Sequence, residues 1–162
     1  MNIVVKKNYE ELSQEAARIV IRKMKEKPDC VLGLATGNTP LGLYALLAKK
    51  YEEEHLDFSQ VSTVNLEELF GVAREDPISF YYYMQKNLFS KVNIQPNHIA
   101  FPGGLEADAQ KACREYDQIA ENIDLLIVGI GSDGHIGFHV PSDIWKRKTS
   151  VCKLSKSERD GY

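Results

Sequence analysis

The chain has no excess of basic charge, no long apolar run and no repeated cysteine pattern. Its 20 Lys and Arg residues stand against 23 Asp and Glu residues, giving a net charge of -3. This balance excludes general nucleic-acid binding, which depends on neutralising many phosphates. No apolar run approaches the ~18 residues of a membrane span, and the first residues, MNIVVKK, lack the long apolar region of a signal peptide. We therefore expect neither a nucleic-acid partner nor a membrane partner.

The three cysteines indicate the compartment. Cys30, Cys113 and Cys152 form an odd and widely spaced set. That spacing matches neither a disulfide framework nor a zinc site, so we predict a reducing compartment and, by default, a cytoplasmic protein.

The length and composition are those of one compact domain. The chain has 162 residues, of which 43% are hydrophobic and 27% charged. A chain of this length buries roughly 70% of its unfolded surface, so it needs no disulfide or metal to stabilise it. We predict a single domain over residues 1–162. After Pro141 the sequence becomes polar and basic and has no closing helix, so we expect the domain to be incomplete at its C-terminus.

Short apolar segments alternate with longer ones whose apolar residues recur at helical spacing. This alternation predicts an α/β fold with an open, mostly parallel, doubly wound sheet and helices on both faces. The predicted strands are residues 2–6, 30–35, 61–66, 98–101 and 123–128, with a further candidate at 151–154. The predicted helices are residues 9–27, 40–53, 79–89 and 106–121. Thr39 is expected to cap the second helix, with Pro40 in its first turn.

The loop after the second predicted strand is a candidate anion site, because ligands of open α/β sheets bind beyond the carboxyl ends of the strands. It contains Thr36, Gly37, Asn38 and Thr39. Gly37 allows close backbone approach, and the free amides at the start of the next helix favour an anion such as a phosphate. The same residues are equally compatible with an ordinary turn before a capped helix.

The end of the third predicted strand carries two carboxylates, Glu67 and Glu68. A carboxylate at this position can act as a general base if its surroundings hold it near the reacting carbon. Paired glutamates are also typical of a solvated helix start.

The most apolar predicted strand is followed by Gly129-Ile-Gly-Ser-Asp-Gly-His135, which formally contains the dinucleotide fingerprint G-x-G-x-x-G. The residues after it make a poor helix, and no acidic residue lies about 20 positions further on, so a nucleotide cofactor is not expected. A turn that presents Asp133 and His135 fits better, with the carboxylate setting the imidazole tautomer. His135 and His139 are four apart but lack an obvious third ligand, so no metal site is predicted.

An aromatic cluster, Tyr81 to Tyr83, lies in the third predicted helix. We expect it to pack that helix against the sheet, with at most one of the tyrosines lining a pocket.

Taken together, these segments resemble the glucosamine-6-phosphate deaminase (isomerase) family, which is related in fold to the 6-phosphogluconolactonases. The resemblance covers nearly the whole chain and rests on the segments 34–40, 65–71 and 129–138, with a further match at 112–116. It implies a Rossmann-like sheet and a phosphosugar substrate bound by Thr36, Gly37, Asn38 and Thr39. It also implies that no metal or organic cofactor takes part.

The resemblance further implies the roles of the catalytic residues. His135, oriented by Asp133, would assist opening of the sugar ring, and Glu67 would move a proton between C2 and C1. Glu67 stands where the family has an aspartate, and Val140 stands where the family has a glutamate. Relatives in the family are often oligomers, so a homo-oligomer is among the expected partners.

Three functions are compatible with these features. The first is isomerisation and deamination of glucosamine 6-phosphate or a related epimer. The second is hydrolysis of a phosphosugar lactone, and the third is phosphosugar binding without catalysis.

Overall fold

The computed structural model describes residues 2–131, 134–137 and 148–154. The helices are α1 (Tyr9–Glu26), α2 (Leu41–Glu54), α3 (Phe80–Asn87) and α4 (Ala109–Ala120), and the strands are β1 (Val31–Leu34), β2 (Ser62–Asn65), β3 (Ile99–Ala100) and β4 (Leu125–Leu126). Two short 3-10 turns, Phe89–Lys91 and Pro96–His98, lie between α3 and β3.

The four strands form one parallel sheet in the order β3-β2-β1-β4. The chain steps outward from β1 to β3 through α2 and α3, and then returns through α4 to the other side of β1. Because parallel crossovers are right-handed, this reversal puts α4 on the face opposite α2 and α3. The predicted doubly wound α/β fold is confirmed.

Side-chain caps fix the starts of three helices. The Asn8 carboxamide oxygen accepts the amide of Glu11 at 2.9 Å, and the Asp108 carboxylate accepts the amide of Lys111 at 2.9 Å. The Ser79 hydroxyl does the same for the first turn of α3. Each cap satisfies amides that a first helical turn leaves without partners.

The main core lies between the sheet and the helices α1, α2 and α3. Its fully buried side chains include Leu32 and Leu34 of β1 and Tyr44 and Leu47 of α2. Helices α1 and α2 approach closely at Gly42, where a Cβ atom would lie 2.3 Å from Ser13 Oγ. Only glycine allows this approach without a shift of one helix.

Helix α4 is tied to the sheet by a buried tyrosine. The Tyr116 hydroxyl donates to the carbonyl oxygens of Asn65 at 2.7 Å and Ala100 at 3.1 Å, which end β2 and β3. This contact fixes α4 beside the carboxyl ends of both strands.

Three local predictions are wrong. Residues 2–6 form no strand: Ile3 and Val5 are 74% and 87% exposed, and no strand of the described part lies beside them to take their backbone hydrogen bonds. Residues 151–154 also form no strand. Thr39 does not cap α2, because Pro40 occupies the capping position and has no side chain that could accept a hydrogen bond.

No helix among the described residues has the length and apolar character needed to cross a membrane.

Candidate active site

The candidate site lies where the strand order reverses. The chain leaves β1 in one direction and reaches β4 from the other, so the loops after these strands diverge and leave a crevice, the usual ligand site of this architecture. A cleft of about 670 Å³ opens there. Its walls are the segments 35–39, 66–67, 77–80 and 128–131 together with Tyr83, His135 and Gly137.

The predicted anion loop, residues 36–39, lines this cleft in full. Gly37 adopts φ +88, a conformation that favours glycine, and a Cβ atom there would meet nothing within 4 Å. Among the described residues, no acceptor takes the amides of Thr36, Gly37 or Asn38. The loop leads directly into α2, whose N-terminal dipole adds positive potential. No Lys or Arg of the described residues lines the cleft.

The Thr36 side chain contacts a carboxylate. Its hydroxyl donates to Glu67 Oε1 at 2.9 Å, across the gap between the ends of β1 and β2. The hydroxyl of Thr36, a predicted phosphate-binding residue, is therefore engaged by the candidate base.

Glu67 lies in a partly dehydrated position on the cleft wall. Burial raises the pKa of its carboxyl, and the hydrogen bond from Thr36 and the attraction of His135 offset part of that increase. A carboxylate with a raised pKa and a cleft in front of it is well suited to exchange protons with a bound ligand.

Glu68 has a different role from its neighbour. Its carboxylate accepts hydrogen bonds from the Ser79 hydroxyl at 2.9 Å and from the amides of Phe80 and Tyr81 at 3.0 Å each. It therefore fixes the first turn of α3 against the end of β2. Neither predicted role of the glutamate pair, a general base or a solvated helix start, describes Glu68. Its carboxylate instead binds Ser79, the capping residue of α3, 11 residues further along.

His135 lies on the turn after β4 and lines the same cleft as Glu67. Its imidazole lies against Gly131, where a Cβ atom would be 2.2 Å from His135 Cε1, and its carbonyl accepts the amide of Gly131 at 2.9 Å. Gly137, at φ +59, lies next to the candidate base, Glu67. A Cβ atom at Gly137 would lie 3.0 Å from Glu67 Oε2. The histidine turn and Glu67 thus meet at one wall of the cleft. Asp133 lies outside the described residues.

The turn after β4 also faces the anion loop. A Cβ atom at Gly129 would lie 3.7 Å from Thr39 Oγ1. One cleft therefore brings together the anion loop, the carboxylate and the histidine turn, three segments that are far apart in sequence.

Tyr83 is a cleft residue that the sequence did not single out. Its hydroxyl donates to the Gly37 carbonyl oxygen at 2.5 Å. Tyr81 packs edge to face on Phe101, with ring centroids 5.2 Å apart, and Tyr82 is 40% exposed. Of the three tyrosines, Tyr83 is the one that lines this cleft, and helical spacing alone could not identify it.

No group of three or more His, Cys, Asp or Glu side chains in the described ranges is arranged to hold a metal ion. The described residues of the cleft supply one carboxylate and one imidazole, which suffice for acid–base chemistry.

Proteins with similar sequences include glucosamine-6-phosphate deaminases. Residues 6–160 match the sequence profile of the family described as glucosamine-6-phosphate isomerases/6-phosphogluconolactonase. A glucosamine-6-phosphate deaminase from Clostridium botulinum is 45% identical over 159 residues, covering 96% of this chain and 65% of that protein. One from a Thermoanaerobacter species is 43% identical over 159 residues, covering 96% and 63%. The chain thus spans a little less than two thirds of the length of these relatives.

Solved structures agree with this relationship. A monomeric glucosamine-6-phosphate deaminase superposes with a TM-score of 0.94 at 40% identity, covering 99% of this chain and 68% of that one. A 6-phosphogluconolactonase from Thermotoga maritima superposes with a TM-score of 0.67 at 24% identity, covering 84% and 62%, and shares the fold. The sequence profile, the identities and the superposition confirm the resemblance, and the chain belongs to the family of glucosamine-6-phosphate isomerases and 6-phosphogluconolactonases.

Proposed function

We propose that this chain binds an amino-sugar 6-phosphate in the cleft and converts glucosamine 6-phosphate, or a related epimer, to the 2-keto sugar phosphate and ammonia. The observation that carries the proposal is the hydrogen bond between Thr36 of the anion loop and Glu67, which lines the same cleft as His135. The 43–45% identity to glucosamine-6-phosphate deaminases supports this branch of the family over the lactonases.

The phosphate would sit on residues 36–39. Their unengaged amides and the start of α2 offer donors and positive potential to a dianion. From this anchor the sugar would extend toward Glu67 and His135, which line the same cleft.

The reaction needs only proton transfers and water. His135, with Asp133 as its orienting carboxylate, would assist opening of the ring to the free aldehyde. Glu67 would take the proton from C2 and return it to C1, while the C1 oxygen gains a proton and the amino nitrogen loses one. The product has an alcohol at C1 and an imine at C2. Addition of water to this imine releases ammonia and leaves the ketone. The raised pKa of the Glu67 carboxyl supports this role, because it must hold a proton between the two transfers.

The proposed partner is therefore a small phosphosugar, and we propose that the protein acts in the cytoplasm. The three cysteines are all free thiols in the described structure, which is in keeping with a reducing compartment. A homo-oligomer remains a prediction from the family resemblance.

The test compares the wild-type chain with Glu67→Gln and His135→Asn, using ammonia release from glucosamine 6-phosphate as the readout. Glu52→Gln and His55→Asn are matched controls, since both residues are exposed at the end of α2, away from the cleft. Asparagine suits position 55 because His55 has the left-handed φ of 55.

We expect each cleft variant to lose about a hundredfold or more in turnover, the contribution typical of a general acid or base. The controls should match the wild type. Full activity in Glu67→Gln would contradict the assigned base. Turnover of 6-phosphogluconolactone instead of glucosamine 6-phosphate would favour the lactonase alternative, and tight binding with no turnover would favour a non-catalytic domain.

A further inference from the structure

Three tyrosine hydroxyls donate hydrogen bonds to carbonyl groups of the anion loop and of Ala35, the residue before it. Tyr83 of α3 donates to the Gly37 oxygen at 2.5 Å, and Tyr44 of α2 donates to the Ala35 oxygen at 2.5 Å. Tyr9 of α1 donates to the oxygens of Asn38 at 3.1 Å and Thr39 at 2.9 Å. Each of the three helices on this face thus supplies one hydroxyl to one stretch of backbone.

The direction of each carbonyl fixes the direction of the next amide. In a trans peptide the C=O of one residue and the N–H of the next point in opposite directions, and the described chain has no cis peptide bond. Holding the oxygens of Ala35, Gly37 and Asn38 therefore sets the direction of the N–H groups of residues 36, 38 and 39. These are the amides that a bound phosphate would use.

The loop needs this external support because it is weakly held by its own bonds. Residues 37–39 are exposed, Gly37 adopts φ +88, and the capping residue of α2, Pro40, makes no side-chain hydrogen bond to the helix. A glycine-containing loop of this kind has many accessible conformations, so fixing it beforehand lowers the entropy that ligand binding must lose.

We propose that Tyr83 and Tyr9 are positioning residues for phosphate recognition: by engaging the carbonyl groups of residues 37 to 39, they hold the loop amides toward the cleft before the ligand arrives. The inference rests on the proposed phosphosugar function.

The surroundings of Tyr83 keep its hydroxyl protonated, so that it can donate a hydrogen bond. Burial, and secondarily the nearby Tyr9, raise the pKa of Tyr83 to about 12. Tyr9 is anchored on its other side by the Gly42 amide, which donates to its hydroxyl at 2.8 Å. Its phenol therefore links the start of α2 to the loop.

The experiment measures dissociation constants for Tyr83→Phe and Tyr9→Phe by phosphorus NMR, using glucosamine 6-phosphate and inorganic phosphate as separate probes. Tyr82→Phe is the matched control, since Tyr82 lies beside Tyr83 in α3, is 40% exposed, and its hydroxyl has no hydrogen-bond partner in the described part of the chain. Melting temperatures are recorded for every variant, and kcat and KM wherever the chain turns over.

Loss of one hydroxyl contact should weaken binding of both probes about fivefold, the effect of one hydrogen bond. KM should rise by the same factor with kcat nearly unchanged, and Tyr82→Phe should match the wild type. A merely structural role would lower the melting temperature without this equal loss for the two probes.

The outcomes separate the two proposals. Unchanged binding in both Tyr83→Phe and Tyr9→Phe, in a wild-type chain that binds both probes, would overturn the positioning role alone. A wild-type chain that binds neither probe would overturn the proposed function and this inference with it.

Discussion

Replacing Glu68 with glutamine should lower the free energy of unfolding by about 2 kcal/mol. The carboxylate accepts hydrogen bonds from the Ser79 hydroxyl at 2.9 Å and from the amides of Phe80 and Tyr81 at 3.0 Å. Hydrogen bonds to a charged group contribute about 1.5–3 kcal/mol each when well shielded. Glu68 is only partly buried, and glutamine keeps one acceptor oxygen, so we take about one such bond as the net loss.

The assay is urea denaturation followed by circular dichroism, with a thermal melt beside it. A loss of about 2 kcal/mol corresponds to a fall of roughly 4–8 °C in melting temperature for a chain of this size. Glu75→Gln is the control, because Glu75 is exposed in the loop before α3 and changes the same charge. A Glu68→Gln variant within about 0.5 kcal/mol of the wild type would refute the reasoning, since that is the range of ordinary surface substitutions.

Three further substitutions test the fold and the base. Gly42→Ala should cost about 1–3 kcal/mol in urea denaturation, because the new Cβ would lie 2.9 Å from Ser13 Cβ, a buried atom that cannot rotate away. Tyr116→Phe should cost about 1–3 kcal/mol in the same assay, because two strand-end carbonyls lose a buried donor. Thr36→Val removes a hydrogen bond that lowers the pKa of Glu67. A base works deprotonated, so the acidic limb of a kcat/KM profile should move to higher pH; a limb that stays in place would contradict the coupling.

Much of the fold could be predicted from the sequence because its strongest signals are local. Helix α1 has apolar positions at helical spacing between Asn8, which caps it, and Pro28, which follows its end. Strand β1 is a short apolar segment, and β1 and β2 are each buried at three of their four positions. These patterns depend on burial within a few residues of chain, and the structure follows them.

The wrong predictions arise where a tertiary partner decides the outcome. Residues 2–6 have the β-branched composition of a strand, but a strand also needs a neighbour, and the described residues provide none. Thr39 has the chemistry of a cap, but Pro40 occupies the capping position and the helix begins at Leu41. The carbonyl of Thr39 is held by Tyr9 from another helix.

The residues of the candidate site also fall into those that the local sequence could indicate and one that it could not. Loop 36–39, Glu67 and His135 could be found because each follows a strand end, where parallel sheets bind ligands. The contribution of Tyr83 could not be found, since it depends on the direction that α3 takes after Glu68 anchors its first turn. Nothing in the local sequence around Tyr83 encodes that direction.

The most direct test of the central claim is to incubate the purified chain with glucosamine 6-phosphate and follow the mixture by phosphorus and proton NMR. The account predicts that signals of fructose 6-phosphate grow as those of the amino sugar fall, with ammonia released in equal amount. Spectra that show neither conversion nor any broadening of the phosphosugar signals would mean that the cleft does not bind this substrate, and would contradict the account.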